Sequence, residues 1–428
     1  MLMIGLFMAM LAMILINVPI AVALALAAVL GISLTQGVDA LITVSIEMYR
    51  GSTSFTLLSI PMFVLAGAIM NAGGIARRLI ALVSALIGFV RGGLAMVNIG
   101  VSLFFAEISG SAVADVAAMG SVIIPAMKKK GYSPEFAAAV TSSSASLAII
   151  IPPSIPMILY AISSGASVEQ LFLAGFVPGL IGALGMMLVA YIFARRYNYP
   201  VEQSFNLKAL RATFIDALPC LALPVIILGG IFSGLVTATE AAGLAVLASL
   251  LVAGWYGELD LKLLKTSMLD GGIQTAVVML LVAASVLMGD FLTVSQVPQG
   301  IAAWIISVSQ NPYVVLFILN IFFLVLGFFL HSSAAIILVV PIVMPLVNQV
   351  GIDPVHFGLV VTLNLAIGQQ TPPVASVLIT SCAIAKADIW RTSRVNIWFI
   401  LVLLFVLAIC TYVPAIPLFL VDLAFPNR

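Results

Sequence analysis

Ser109-Gly110-Ser111-Ala112-Val113-Ala114-Asp115 is a polar tip set between two apolar runs, residues 94–108 and 116–127. Lys128-Lys129-Lys130 and Gly131-Tyr132-Ser133-Pro134 follow. A second polar break, Thr141-Ser142-Ser143-Ser144-Ala145-Ser146, then precedes Pro152-Pro153. The same layout returns 220 positions later. Pro125 pairs with Pro345, Gly131 with Gly351, Pro134 with Pro354, Val140 with Val360, and Pro152-Pro153 with Pro372-Pro373. His331-Ser332-Ser333 answers the tip. Thr362, Asn364 and Gly368-Gln369-Gln370-Thr371 answer the Ser-rich break. A repeat at this range marks a duplicated unit, here a hairpin followed by a broken span.

Working outward, the chain of 428 residues is 63% hydrophobic and only 8% charged, where a soluble domain carries about 25% charged residues. Apolar runs of about 18–25 residues recur throughout, each long enough to cross a bilayer as a helix. The expected class is an all-α polytopic membrane protein with no separate soluble domain. A net charge of +1 gives no reason to expect nucleic acid. Residues 1–34 lack a basic n-region and a polar stop, so they read as membrane helix rather than a cleaved signal peptide. Asn17-Val18-Pro19 divides them into two short helices or one kinked helix. Cys220, Cys382 and Cys410 lie in apolar runs and read as buried, reduced thiols.

The expected order is as follows. Residues 1–56 hold N-terminal scaffold helices and a connecting segment. Residues 57–168 are the first repeat, with a span kinked at Pro61, a hairpin at 93–127 and a broken helix at 134–164. Residues 169–271 are scaffold helices, including a span at 171–194, with a cytoplasmic loop reaching about residue 212. Residues 272–388 are the second repeat, with a hairpin at 313–347 and a broken helix at 355–385. An interfacial helix at 300–309 carries Trp304, and residues 389–428 form a C-terminal span. With Arg77-Arg78 cytoplasmic, the alternation of spans puts all 17 Lys and Arg residues except Arg50 and Arg428 on that side. The first hairpin then enters from the cytoplasm. An odd number of spans separates it from the second, which opens outward. The repeat is inverted.

Unwound backbone at membrane depth is tolerated only inside protein or along a water-filled cavity. Two tips and two broken helices of opposite sense are expected to meet near the midplane. Their helix N-termini present partial positive charge to an anion. Their freed carbonyls and hydroxyls suit a hard cation such as Na⁺. This is the layout of a secondary transporter; the bland alternative is small residues that permit close helix packing. Glu107, Asp115, Glu240, Asp290 and His331 are the ionisable groups in or near spans. Glu107 and Asp115 flank the first tip and fit capping or coupling. Glu240 and Asp290 lie near span ends. Glu135 reads as a first-turn acid, and His331 is open to backbone capping or substrate contact. With His356 the only other histidine and no cysteine near, a metal centre is not expected. No Gly-x-x-x-x-Gly-Lys-Ser/Thr loop and no nucleophile–base–acid set is present, which speaks against an ATPase or an enzyme.

Ser109-Gly110-Ser111 with Asp115, Gly131-Tyr132-Ser133-Pro134-Glu135-Phe136-Ala137, Ile151-Pro152-Pro153-Ser154 and Thr371-Pro372-Pro373 together resemble the large membrane (M) subunit of TRAP transporters, the tripartite ATP-independent periplasmic transporters. The resemblance covers essentially the whole chain. It implies a Na⁺-coupled, elevator-type importer of organic anions in a bacterial inner membrane. It also implies two partners, a small four-helix membrane (Q) subunit and a periplasmic substrate-binding (P) protein. Carried over residue by residue, one Na⁺ site uses Ser109, Gly110, Ser111, Ala145 and Ala148, and a second uses Gly327, Gly368, Thr371 and Val374. The substrate site uses Ser144, Ser332, Asn364 and Gln370. Gln369-Gln370 stand where dicarboxylate members often have apolar residues, which favours a hydroxyl-rich acid such as the sialic acid N-acetylneuraminate over a C4-dicarboxylate. A stand-alone sodium/anion symporter of the divalent-anion type shares the hairpin plan, and a channel or membrane-enzyme subunit is a further alternative.

Overall fold

The computed structural model describes residues 2–16, 18–201 and 204–426. The side chains of residues 2, 4, 11, 15, 107–109, 261, 263 and 270 lie outside that description. Asn17 and Arg428, used above to place a break and a charge, therefore lie outside the described residues. Among the described residues the regular elements are helices, apart from one isolated bridge between Arg91 and Val201. Eight of the helices are long and apolar enough to cross a membrane.

The duplicated turns match bond for bond. After the first hairpin, Tyr132 N–H donates to Met127 O and Gly131 N–H to Lys128 O, at 3.1 Å each. After the second, Ile352 donates to Val347 at 3.0 Å and Gly351 to Asn348 at 3.2 Å, both displaced by the same 220 positions. This is the helix-ending pattern that needs a left-handed residue, and Gly131 (φ 86°) and Gly351 (φ 73°) supply it without a Cβ clash. The next helix starts on a side-chain cap in each repeat. Ser133 Oγ accepts from Phe136 N–H, and Asp353 Oδ1 accepts from Val355 and His356 N–H. Glu135 lies in the first turn, as expected. Both Pro-Pro bonds are cis.

The helices pack as two bodies. The scaffold holds Leu2–Leu15, Ile20–Thr35, Ile42–Ser52, Ser59–Ala72, Ile75–Ile87, Leu207–Phe232, Ala238–Trp255 and Leu261–Val294. The hairpin body holds the hairpin arms Gly93–Ser109, Ser121–Lys129, Pro312–Phe329 and Ser332–Gln349. It also holds the broken helices, Pro134–Ala145 with Ile155–Ser164 and Pro354–Gly368 with Ser376–Ala385. The helix Val297–Val308 lies along the second return arm with Trp304 exposed.

Three expectations change. The helix Val168–Arg196, grouped with the scaffold from its position in the chain, runs along the hairpin body instead. Its glycines allow that approach: a Cβ on Gly179 would stand 2.6 Å from the Ile151 side chain. Pro61 lies where the 3₁₀ turn Phe55–Leu58 passes into the α-helix Ser59–Ala72. The stretch read as loop to about residue 212 is helix from Leu207, where Asn206 Oδ1 accepts from Lys208 and Ala209 N–H. The last span is two helices, Ile389–Tyr412 and Ala415–Ala424, parted at Pro414.

Contacts between loops place the basic residues at one end. Arg77 Nη2 meets Glu258 Oε1 at 2.6 Å. Arg78 lies between Glu258 and Asp216 with its guanidinium over the Tyr256 ring. Arg91 meets Asn198, and Lys128 Nζ donates to Ala385 O at 2.7 Å. At the opposite end Tyr160 Oη donates to Pro354 O. The last two bonds tie one repeat to the other.

Candidate functional site

Each hairpin tip is clamped by the chain just after the Pro-Pro of its own repeat. Ile155 N–H donates to Gly110 O at 3.4 Å, and Val374 N–H donates to Phe328 O at 3.2 Å. Gly110 is left-handed (φ 58°), and a Cβ there would stand 2.8 Å from Pro153 O. Ala112 and Val116 of the first hairpin, Ala145 and Ile149 of the first break, and Ala366 and Val377 of the second form one small apolar cluster. The first tip and the two breaks thus meet, as the sequence leads one to expect, though the repeat does not say through which side chains.

The sites named from the resemblance fall out as follows. Gly110, Ser111, Ala145 and Ala148 lie at or beside the first tip and break; the side chain of Ser109 lies outside the described residues. Gly327, Gly368, Thr371 and Val374 converge. A Cβ on Gly368 would stand 2.5 Å from Gly327 Cα, and Thr371 N–H donates to Gly368 O at 3.0 Å. Thr371 Oγ1 donates its proton to Ile367 O at 2.9 Å, so its lone pairs remain for a cation.

The four residues assigned to substrate do not stay together. Ser144 Oγ accepts from Ser102 at 2.9 Å, and Asn364 Nδ2 donates to Asn320 Oδ1 at 2.6 Å. These are repeat-related struts, each joining the inbound arm of a hairpin to its own broken helix. Gln370 lies deeper still. Its Oε1 accepts from Ser143 Oγ at 2.8 Å, its Nε2 donates to Ser146 Oγ at 2.7 Å, and Asn396 Nδ2 reaches its backbone carbonyl. That cross-brace joins the two breaks and the Ile389–Tyr412 helix.

Ser332, the fourth, lines a cavity of about 70 Å³ between the tips. Its neighbours there include Gly110, Ser111, His331, Ser333 and Gln369 from the hairpin body, and Val64, Gln274 and Val278 from the scaffold. The helix Ser332–Gln349 begins at this cavity. Its cap residue His331 makes no side-chain cap bond, so the first-turn N–H groups face the cavity without a side-chain acceptor. Ser332 Oγ and both amide atoms of Gln369 are buried without a hydrogen-bond partner. The sequence marks the Gln369-Gln370 pair but assigns Gln370, not Gln369, to the substrate, and it does not mark Gln274. Adjacent residues on a helix point about 100° apart, so Gln369-Gln370 does not announce which amide faces the cavity. Gln274 lies on the scaffold helix Leu261–Val294.

A cleft of about 730 Å³ adjoins this cavity, sharing Val64 and Gln274 with it. It runs between the first return arm (Asp115, Ala118, Ser121, Val122) and the scaffold to Arg77 and Glu258. A separate cavity of about 360 Å³ lies on the far side, lined by Glu47, Arg50, Ser285, Asp290, Ile337 and Pro341. Of the other ionisable candidates, Glu240 closes a capping box with Thr237 at a helix start, and Asp115 is buried in the first turn after the tip. The side chain of Glu107 lies outside the described residues. Cys220, Cys382 and Cys410 are buried and unbridged.

The fold is similar to that of the solved YdaH transporter of Alcanivorax borkumensis, with a TM-score of 0.63 over 92% of this chain and 90% of that one, at 12% identity. The C4-dicarboxylate TRAP transporter large permease protein DctM of Pseudomonas aeruginosa is 40% identical over 91% of this chain and 90% of its own length. The isethionate TRAP transporter permease protein DctMQ of Oleidesulfovibrio alaskensis is 38% identical over 94% of this chain, which spans 64% of that longer protein. The family model for the DctM component of the tripartite ATP-independent periplasmic transporters matches residues 7–416. The chain therefore belongs to that family, as the large membrane component of a TRAP transporter rather than an enzyme.

Proposed function

We propose that this chain moves an organic acid anion together with Na⁺ across a bacterial inner membrane. The acid is delivered by a periplasmic binding protein, and a small four-helix membrane subunit supports the scaffold. The fused DctMQ relative supports the small partner, and the family name supports a three-part system. The observation that carries the reading is the tip cavity. It brings an uncapped helix N-terminus, suited to the anion, together with Gly110 and Ser111 of the first tip and the Gln369 amide, while the Thr371 hydroxyl, suited to a cation, lies after the second broken helix and outside the lining of this space. Hard cations take oxygen ligands of this kind.

The cleft reaching the Arg77–Glu258 end supports reading this as the inward-facing arrangement, given the positive-inside orientation. On this reading the hairpin body, braced through Gln370 and Lys128, slides as a unit past the scaffold and carries the cavity with it. The two relatives differ little in identity and are named for different acids, so likeness does not choose the substrate. N-acetylneuraminate remains the reading that the extra glutamine amides favour, with a C4-dicarboxylate as the alternative.

The test is uptake into proteoliposomes holding this chain with its small subunit. Uptake should need an inward Na⁺ gradient and added binding protein, and Thr371→Ala should weaken the Na⁺ dependence with folding retained. Uptake indifferent to Na⁺ would overturn the coupling, and full uptake without binding protein would favour a stand-alone symporter. A disulfide between Ile337→Cys and Val282→Cys, which line the same far-side cavity, should stop transport. Full transport with that bond formed would exclude sliding.

A further inference from the structure

Gln369 is only 2% exposed, it lines the tip cavity, and neither its oxygen nor its nitrogen has a partner. A buried amide carries two N–H donors and two acceptor lone pairs, and leaving them unmatched is unfavourable. Its neighbour Gln370 is fully engaged in the cross-brace, so the idle amide is not a general property of this break. Beside Gln369 stand the Ser332 hydroxyl, also unpartnered, and the uncapped first turn of Ser332–Gln349. The helix terminus offers donors only and so suits the charged head of an acid. The Gln369 oxygen can only accept, and a bare carboxylate or sulfonate gives it nothing.

We infer that Gln369 is a specificity-determining residue, and that the substrate is a hydroxylated acid whose hydroxyl (or N–H) donates to Gln369 Oε1 while its charged head lies at the Ser332 helix N-terminus. This rests on the placement of substrate in the tip cavity. A site built around a buried hydrogen-bonding group rejects the analogue that lacks the matching group, because the protein group is then left unpaired. Gln274 lies on the scaffold wall of the same cavity, is exposed there, and serves as a reporter outside the hairpin body.

The experiment uses the chain with its small subunit in nanodiscs with Na⁺, carrying Gln274→Cys, and reads protection of that thiol from maleimide. The probes are acids paired by a single hydroxyl, namely succinate with L-malate, propionate with L-lactate and ethanesulfonate with isethionate, plus N-acetylneuraminate. The acids that protect should all be hydroxylated, each acting at concentrations roughly tenfold or more below its plain partner. Gln369→Leu should erase that ratio. The same substitution should hold or raise the thermal midpoint of the substrate-free protein, because an unmatched buried amide is replaced by an apolar group. Equal protection by both members of a pair, a preference that survives Gln369→Leu, or a lowered midpoint overturns the role of Gln369 while leaving the cavity as the substrate site. If no acid protects the thiol, N-acetylneuraminate included, the placement of substrate in the cavity itself fails.

Discussion

The two hairpins share a sequence plan and differ in what surrounds them. The first returns in pieces: Ala112–Asp115 is α-helical, Val116–Gly120 is a π turn, and α-helix resumes at Ser121. The second returns in one helix, Ser332–Gln349. Val122 on the first return arm is 53% exposed to the cleft side, and its repeat mate Ile342 is 7% exposed. Single-turn π segments recur at functional positions in helices because they loosen the hydrogen-bond ladder. Here the π turn lies on the arm that lines the open cleft, and the regular arm is the one packed against the scaffold. An inverted repeat permits the roles to exchange when the body moves, since each hairpin then meets the environment the other has left. The difference shows that a symmetric plan can hold two unlike packings at once, which is what access from one side at a time demands.

Labelling of the repeat mates tests this most sharply. With the protein in its resting state, Val122→Cys should react with a polar maleimide from the cytoplasmic side and Ile342→Cys should not, a difference of at least about tenfold for a buried against an exposed position. Equal reactivity would show the asymmetry to be absent in the membrane. Next in size is Gly368→Val. Its side chain would collide with the Gly327 backbone, an overpacking cost of about 1–3 kcal/mol at the second tip. A fall in thermal midpoint with loss of Na⁺-driven uptake is expected, and a neutral result would show that the second tip tolerates opening.

Gln370→Ala comes third. It takes the amide partner from Ser143 and Ser146, at about 1–3 kcal/mol, while Asn396 keeps the backbone carbonyl of residue 370, and it should lower the midpoint while the substrate KM holds. A changed KM at constant midpoint would restore Gln370 as a substrate ligand. The smallest effect is expected from Lys128→Met, which removes one bond from the first hairpin to Ala385 O, worth about 1 kcal/mol. Among the described residues the repeat mate Asn348 shows no such side-chain bond, so Asn348→Met should be near neutral by the same thermal measurement.

The sequence by itself determined the class, the duplication and the turns. Apolar runs must be helices in lipid, because the backbone there has no other partner. A Gly–Pro spacing repeated at 220 positions forces the same local bonds at 131 and 351, since those bonds join residues at most six apart. Likewise, Ser133 and Asp353 cap their helices because a cap reaches only two or three residues onward. Only the tertiary structure decided which polar residues meet. Gln369 and Gln370 are adjacent and chemically identical, yet one closes a brace with Ser143, Ser146 and Asn396 and the other faces the cavity. Ser144 and Asn364 spend their side chains on struts to Ser102 and Asn320, more than forty residues away in the chain. The Val168–Arg196 helix joins the hairpin body through glycine contacts that its hydropathy does not encode. Hydropathy and spacing act along the chain within a few turns, whereas a side chain's partner is set by rotation and packing between helices that the chain order leaves free.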